Sequence, residues 1–237
     1  MKVKDILLIG SSHAAALKQG FDLVDNDISM DVIAAPKRVS KNLNIKGTII
    51  RFKGNKKRLE YIHKSFGNLR PCDASQYKKI IIAQGQPVLR LDHYINRRNK
   101  NVPRLSENIV KDIITSRFKN HWITALAENC LSSRIIYVGS PPPSEKVNLG
   151  PFKLLSNHEN HENIGHLRRA IANVIQDCEN KIRIKLYTPP IQVMSENLFT
   201  VKHKYFQGRD VPYGGSDDLR HCNAEYGKIV FKDLLNC

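Results

Sequence analysis

The chain has 237 residues, 41% apolar and 25% charged, which suits one soluble domain with a sizeable core and excludes a chain dominated by disorder. Thirty-eight Lys and Arg against 22 Asp and Glu leave a net charge of +16, so the expected partner is anionic. Charge alone leaves nucleic acid, an anionic membrane surface, an acidic polysaccharide and a phosphorylated cofactor open. The sequence has no RNA-recognition signature, paired-cysteine zinc motif or heptad run, so nucleic acid is not the expected partner.

The five cysteines, Cys72, Cys130, Cys178, Cys222 and Cys237, are odd in number and never spaced Cys-x-x-Cys. This argues against a disulfide framework and for a reducing compartment. No apolar run approaches the ~20 residues that a spanning helix needs. The opening apolar run is also too short for a signal-peptide core. A cytoplasmic protein is expected, and its charge is compatible with peripheral membrane contact.

In chain order, Ile6-Leu7-Leu8-Ile9 lacks alternation, as in a strand buried on both faces. Gly10-Ser11-Ser12 breaks it, and residues 14–21 read as a helix. Asp31 to Ala35 predicts a second strand, ended by Pro36. Lys37 to Tyr61 reads as basic and loop-rich, with a strand at Thr48-Ile49-Ile50. Lys79 to Ala83 is a buried strand closed by Gln84-Gly85-Gln86-Pro87. Ser106 to Cys130 reads as helical, with Ser106 as N-cap and Ile109, Ile113, Ile114, Phe118 and Trp122 on one face. Arg134 to Val138 is the next strand, stopped by Gly139-Ser140 and three prolines. A helix over His166 to Cys178, a strand over Ile182 to Leu186 and a helix over Asn223 to Leu235 complete the chain. Strands alternating with helices predict an α/β fold with a parallel sheet covered on both faces. One domain over residues 1–237 is expected, with a lid or hairpin insertion at about 190–215.

Sites in open parallel sheets form at the carboxyl ends of strands. Gly10-Ser11-Ser12-His13, Gln84-Gly85-Gln86-Pro87 and Gly139-Ser140-Pro141-Pro142 stand at such ends, and Asp217-Asp218-Leu219-Arg220-His221 precedes the last helix. A serine hydroxyl needs an adjacent base, and a carboxylate fixes the imidazole's tautomer. At a helix start the serine's own N–H and the helix dipole both favour an oxyanion. Ser12 is the expected nucleophile and His221 its base. Asp218 and Asp217 compete as the orienting acid.

ILLIGSSHAAAL resembles the first block of the SGNH (GDSL-like) hydrolases, with Ser12 in the serine position and Ser11 in place of the usual Asp. DDLRHCNAEYG is similar to the last block, Asp-x-x-His, here Asp218 to His221. The run through Asn223, Tyr226 and Gly227, and the proline-rich YVGSPPP, resemble bacterial members that act on sugars or polysaccharides. The resemblance implies a three-layer αβα sandwich with a central, mainly parallel sheet of flavodoxin-like order. It favours Asp218 over Asp217 and implies an oxyanion hole from Ser12, Gly85 and Gln86, with Gln86 in the family's asparagine position. A further glycine N–H would come from Gly47, Gly54 or Gly67.

The implied activity is hydrolysis of O-acyl esters, acetyl above all, of a carbohydrate or acidic polysaccharide. The alternatives are O-acetyl transfer to a polysaccharide and catalytically inactive carbohydrate binding. Hydrolysis needs no cofactor; transfer would draw on acetyl-CoA. His13, beside Ser12, is expected to contact substrate. Tyr205, within a stretch mixing aromatic and basic residues, would stack on a sugar ring if that stretch is a flap rather than a self-packed hairpin. His158, His161 and His166 fit no zinc spacing and read as a solvated polar loop.

Overall fold

A computed structural model describes residues 4–25, 27–34, 43–54, 57, 59–60, 70–85, 107–118, 122–131, 134–142, 144–146, 161–196, 199–206 and 221–237, with backbone only at 107, 117 and 161–171. Five strands form the central sheet: β1 (Lys4–Gly10), β2 (Met30–Ala34), β6 (Tyr77–Ala83), β7 (Arg134–Tyr137) and β8 (Lys185–Leu186). Their order is β2-β1-β6-β7-β8 and every pairing is parallel. Three further strands, β3 (Leu43–Lys46), β4 (Ile49–Phe52) and β5 (Cys72–Asp73), form a small antiparallel sheet. The helices are α1 (His13–Asp22), α2 (Glu107–Phe118), α3 (Trp122–Asn129), α4 (His161–Ile182) and α5 (Ala224–Asn236).

The unalternating strands behave as their composition requires. Leu7, Ile9, Ile80, Ile82, Ile135 and Tyr137 point into one core, which α2, α3 and α4 close. Their neighbours Ile6, Leu8, Ile81, Ala83 and Ile136 point into the other, closed by α1 and α5. Each fully buried aliphatic side chain contributes roughly 1.5–3 kcal/mol. The result is the expected α/β three-layer sandwich.

Several predicted boundaries move. The basic stretch read as loop contains the β3–β4 hairpin, whose alternation puts Leu43 and Ile50 in the core and Asn44 and Arg51 outside. The long helix around Ser106 to Cys130 is two helices. The buried stripe of α2 is Val110, Ile114 and Phe118, while Ile109 is 47% exposed. Helix α4 starts before His166, so His161 and His166 stand on a helix rather than a loop. It also runs through Ile182, because Ile175, Cys178 and Ile182 continue one apolar stripe. Helical packing there overrides the β-preference of the Ile-Arg-Ile run, and β8 shrinks to two residues after Arg183 turns the chain at φ 55°.

The fold places two helix starts together. A Cβ on Gly227 would lie 1.7 Å from the Ala16 carbonyl oxygen, so α5 rests backbone-to-backbone on α1 at that point. Only glycine permits that approach. The N-termini of both helices therefore emerge at the carboxyl edge of the sheet. No helix among the described residues is long and apolar enough to cross a membrane.

Candidate active site

Strands β1 and β6 run side by side, with Gly10 opposite Ala83. From β1 the chain moves outward to β2; β6 begins the opposite half of the sheet. This reversal of strand order is where open α/β sheets form their crevice. Ser12 lies two residues beyond Gly10, and Gly85 two beyond Ala83.

Ser12 is the N-cap of α1, but its φ of −52° and ψ of −28° are already helical and its side chain makes no capping bond. A serine acting as a cap takes an extended backbone and directs its oxygen to the helix N–H groups. The Ser12 hydroxyl instead meets Nε2 of His221 at 3.0 Å. Ser12 is exposed and His221 half-buried, so an incoming carbonyl can reach the hydroxyl. The sequence expectation joined residues 209 positions apart, and the structure brings them into contact.

His221 is held by the chain that follows it. Asn223 caps α5, its Oδ1 accepting from the Tyr226 N–H at 3.0 Å. Its own N–H donates to the Tyr205 carbonyl at 2.8 Å, and Nδ2 donates to the Lys204 carbonyl at 2.9 Å. Phe206 and Cys222 form an antiparallel bridge. Burial pushes the Tyr226 hydroxyl well above the usual phenol range, with the Cys222 thiol adding to the shift, so this phenol stays neutral.

Residues 199–206 therefore brace the His221 loop, and this part of the expected lid is foundation rather than cover. Tyr205 is 8% exposed, packed in the core edge-on to Tyr226. Its ring is turned inward and does not present a face to a sugar, which corrects the expectation for that residue. An aromatic among basic residues looks like a binding surface in sequence, but here its ring fills the core while its carbonyl positions Asn223.

His13 lies against His221. Its ring centroid is 5.4 Å from that of His221, with 31° between the planes. This places it beside the imidazole.

Gly85 has φ +86°, and a Cβ there would stand 2.6 Å from the Tyr137 hydroxyl. Its carbonyl accepts from the Ser140 N–H at 3.2 Å, which ties the Gln84-Gly85 turn to the Gly139-Ser140 turn. Among the described residues, neither the Ser12 nor the Gly85 N–H has an acceptor. Both residues stand just beyond the ends of adjacent strands. Gly47 sits in the hairpin turn next to Thr48, whose carbonyl accepts from Ala74 at the opposite end of the sheet, so it is too remote to join them. Gln86, Asp217, Asp218, Gly67 and His158 lie outside the described residues.

Sequence reasoning passed over Gln84. It is 7% exposed, and its buried Oε1 meets no donor among the described residues. No group of three His, Cys, Asp or Glu side chains among the described residues gathers to hold a metal ion.

The sequence matches no family model, and no curated protein matches it significantly. Among solved structures, the chain is similar to the periplasmic domain of a lipopolysaccharide acetyltransferase from Salmonella ser. Paratyphi A. The identity is 14% and the TM-score 0.44, covering 100% of this chain and 84% of that one. Any functional reading therefore rests on the site itself.

Proposed function

We propose that the chain is a serine esterase that removes O-acyl groups, acetyl above all, from a carbohydrate. The observation that carries this reading is the 3.0 Å contact between Ser12 Oγ and His221 Nε2 at the carboxyl edge of a parallel sheet. The chemistry follows from that contact. With the imidazole neutral and its proton on Nδ1, Nε2 accepts the hydroxyl hydrogen. Oγ attacks the acyl carbonyl while its proton moves to Nε2. The tetrahedral oxyanion forms where the N–H groups of Ser12 and Gly85 can donate to it, helped by the positive end of α1. Collapse expels the sugar alkoxide, which takes the Nε2 proton, and leaves an acyl group on Ser12. Water then attacks the acyl-enzyme, giving its proton to Nε2, which returns it to Oγ. Asp218 would orient the imidazole as the SGNH resemblance implies, and Gln86 would add an oxyanion donor.

The carbohydrate assignment draws on the motif resemblance through Asn223, Tyr226 and Gly227. Transfer to a second sugar hydroxyl, with acetyl-CoA as donor, shares the first half-reaction and differs in what attacks the acyl-enzyme. A cytoplasmic setting agrees with five cysteines that are all free thiols.

The test is turnover of p-nitrophenyl acetate by wild type, Ser12→Ala and His221→Ala, with a fluorophosphonate probe alongside. Turnover and labelling that disappear in Ser12→Ala support the reading. A wild type that is neither labelled nor active would overturn it. Supplying a glycan acceptor with the acyl donor separates transfer from hydrolysis.

A further inference from the structure

We infer that the outer face of the β3–β4 hairpin is a docking surface for an anionic polysaccharide, the polymer that would carry the ester removed at Ser12. The inference deepens the esterase reading and rests on it for the link between docking and chemistry.

Charge is concentrated in this part of the chain. Residues 46–70 hold eight Lys and Arg and one acid, Glu60. Some lysines elsewhere in the described fold are paired with acids: Lys4 with Asp31 at 2.6 Å, Lys78 with Asp5 at 2.8 Å and Lys111 with Asp177 at 2.7 Å; exposed cations such as Lys146, Lys181 and Lys232 are scattered over other elements. The hairpin and the chain just after it gather four such cations together. Lys46, Arg51, Lys53 and Lys57 are exposed, and no acidic side chain pairs with any of them among the described residues. The acid nearest in register, Asp73 opposite Ile49, accepts from the Ser75 N–H at 3.1 Å and the Ser75 hydroxyl at 2.7 Å. Its carboxylate is thereby held to its own turn.

The cations stand on a rigid support. Leu43 and Ile50 are buried, and Ile45 and Phe52 pack against the same core. Alternation then turns Asn44, Lys46 and Arg51 outward. Successive outward residues along a strand are about 7 Å apart, a spacing suited to a polymer with scattered charges. The Thr48 carbonyl in the turn accepts from the Ala74 N–H at 2.9 Å, which ties the hairpin to the chain entering β6. Lys53 and Lys57 come after β4 in the chain, both exposed.

The surface suits a polyanion without stacking or insertion. Phe52 packs inward, so no described aromatic is offered to a nucleic-acid base. Among the described residues, the exposed large apolar ones, Leu23, Ile109, Leu131 and Ile191, all lie outside the hairpin, so no described apolar wedge accompanies its charge.

The experiment measures binding of the full chain to polygalacturonate and to uncharged dextran, at low and physiological salt. Two charge-matched variants are compared: Lys46→Ser/Arg51→Ser/Lys53→Ser/Lys57→Ser, and Lys146→Ser/Lys181→Ser/Arg183→Ser/Lys232→Ser, which removes four exposed cations elsewhere. Wild type binds polygalacturonate and not dextran. The hairpin variant loses about tenfold or more in affinity at low salt, with a shallower salt dependence. The distributed variant keeps most of its affinity. A Lys46→Arg/Lys53→Arg/Lys57→Arg variant binds as wild type, which guards against a folding artefact. Equal losses in the two charge-matched variants overturn the inference, as does absence of binding to polygalacturonate. Tighter binding to duplex DNA or to phosphatidylserine vesicles than to polygalacturonate also overturns it. Turnover of p-nitrophenyl acetate, measured in parallel, is unchanged in all variants. If wild type fails there, the esterase reading falls while the binding result still stands or falls by itself.

Discussion

Helices α1 and α5 begin beside one another at the same edge of the sheet, and their first residues do opposite things. At α5, Asn223 takes an extended backbone and caps the helix through its side chain. At α1, Ser12 holds a helical backbone, leaves the helix uncapped and gives its hydroxyl to His221. One terminus is built for stability. The other forgoes a cap, worth about 1 kcal/mol in typical helices, and leaves its serine exposed. A residue type favoured as a cap but not used as one is therefore a more telling mark of function here than the serine itself.

The strongest test of this contrast is Ser12→Ala. Because the hydroxyl caps nothing, the melting temperature should stay within the change produced by about 0.5 kcal/mol. Ester turnover should fall on the order of a thousandfold or more. Thermal melts and p-nitrophenyl acetate kinetics on the same preparation check both halves. A large loss of stability would mean that the hydroxyl supports the helix after all.

Gly227→Ala should disturb both termini together. The new methyl would meet the Ala16 carbonyl oxygen at 1.7 Å, and backbone atoms cannot swing aside as a flexible side chain can. Helix α5 must move away from α1, at a cost of about 3 kcal/mol. Since His221 precedes α5 and Ser12 opens α1, kcat should drop along with stability. Chemical denaturation and kcat measured on the folded fraction separate the effects. Full kcat in a destabilised variant would show that the helix contact does not set the Ser–His distance.

Asn223→Ala is the counterpart of Ser12→Ala. It removes the α5 cap and the bond to the Lys204 carbonyl, so stability should fall by about 1–2 kcal/mol. Turnover should fall less than in Ser12→Ala, because nucleophile and base both remain. Denaturant midpoints and kcat for the two variants, plotted against each other, should lie near opposite axes.

Much of the frame was legible from residue patterns. The runs ILLI and KIIIA lack alternation because both faces of β1 and β6 are buried, and that condition is written in sequence. Ser12 and His221, the proposed nucleophile and base, were legible because the glycine-serine break and the histidine before the last helix sit at recognisable element ends. Their 3.0 Å contact was not, because it depends on α1 and α5 touching at Gly227. The β3–β4 hairpin was obscured by its own outward Lys46 and Arg51, although Leu43, Ile45, Ile50 and Phe52 alternate with them. Tyr205 misled for a related reason: its sequence neighbours are cationic, while its ring packs in the core.

The smallest effect belongs to His13, the first helical residue of α1. Its ring lies against the His221 ring, and aromatic contacts of this kind contribute about 1 kcal/mol. That contact would help hold the His221 imidazole in the orientation that meets Ser12. His13→Ala should therefore lower kcat several-fold, with KM for a small ester nearly unchanged. His13→Phe restores a ring without a titrating group and should recover most of the loss. Recovery by Phe would show that packing is what α1 supplies to its neighbour's base. A loss that Phe does not repair, accompanied by a raised KM, would instead assign His13 to substrate contact. Helix α1 would then present two adjacent side chains to the ligand, and the positioning of His221 would fall to α5 and its Asn223 anchor alone.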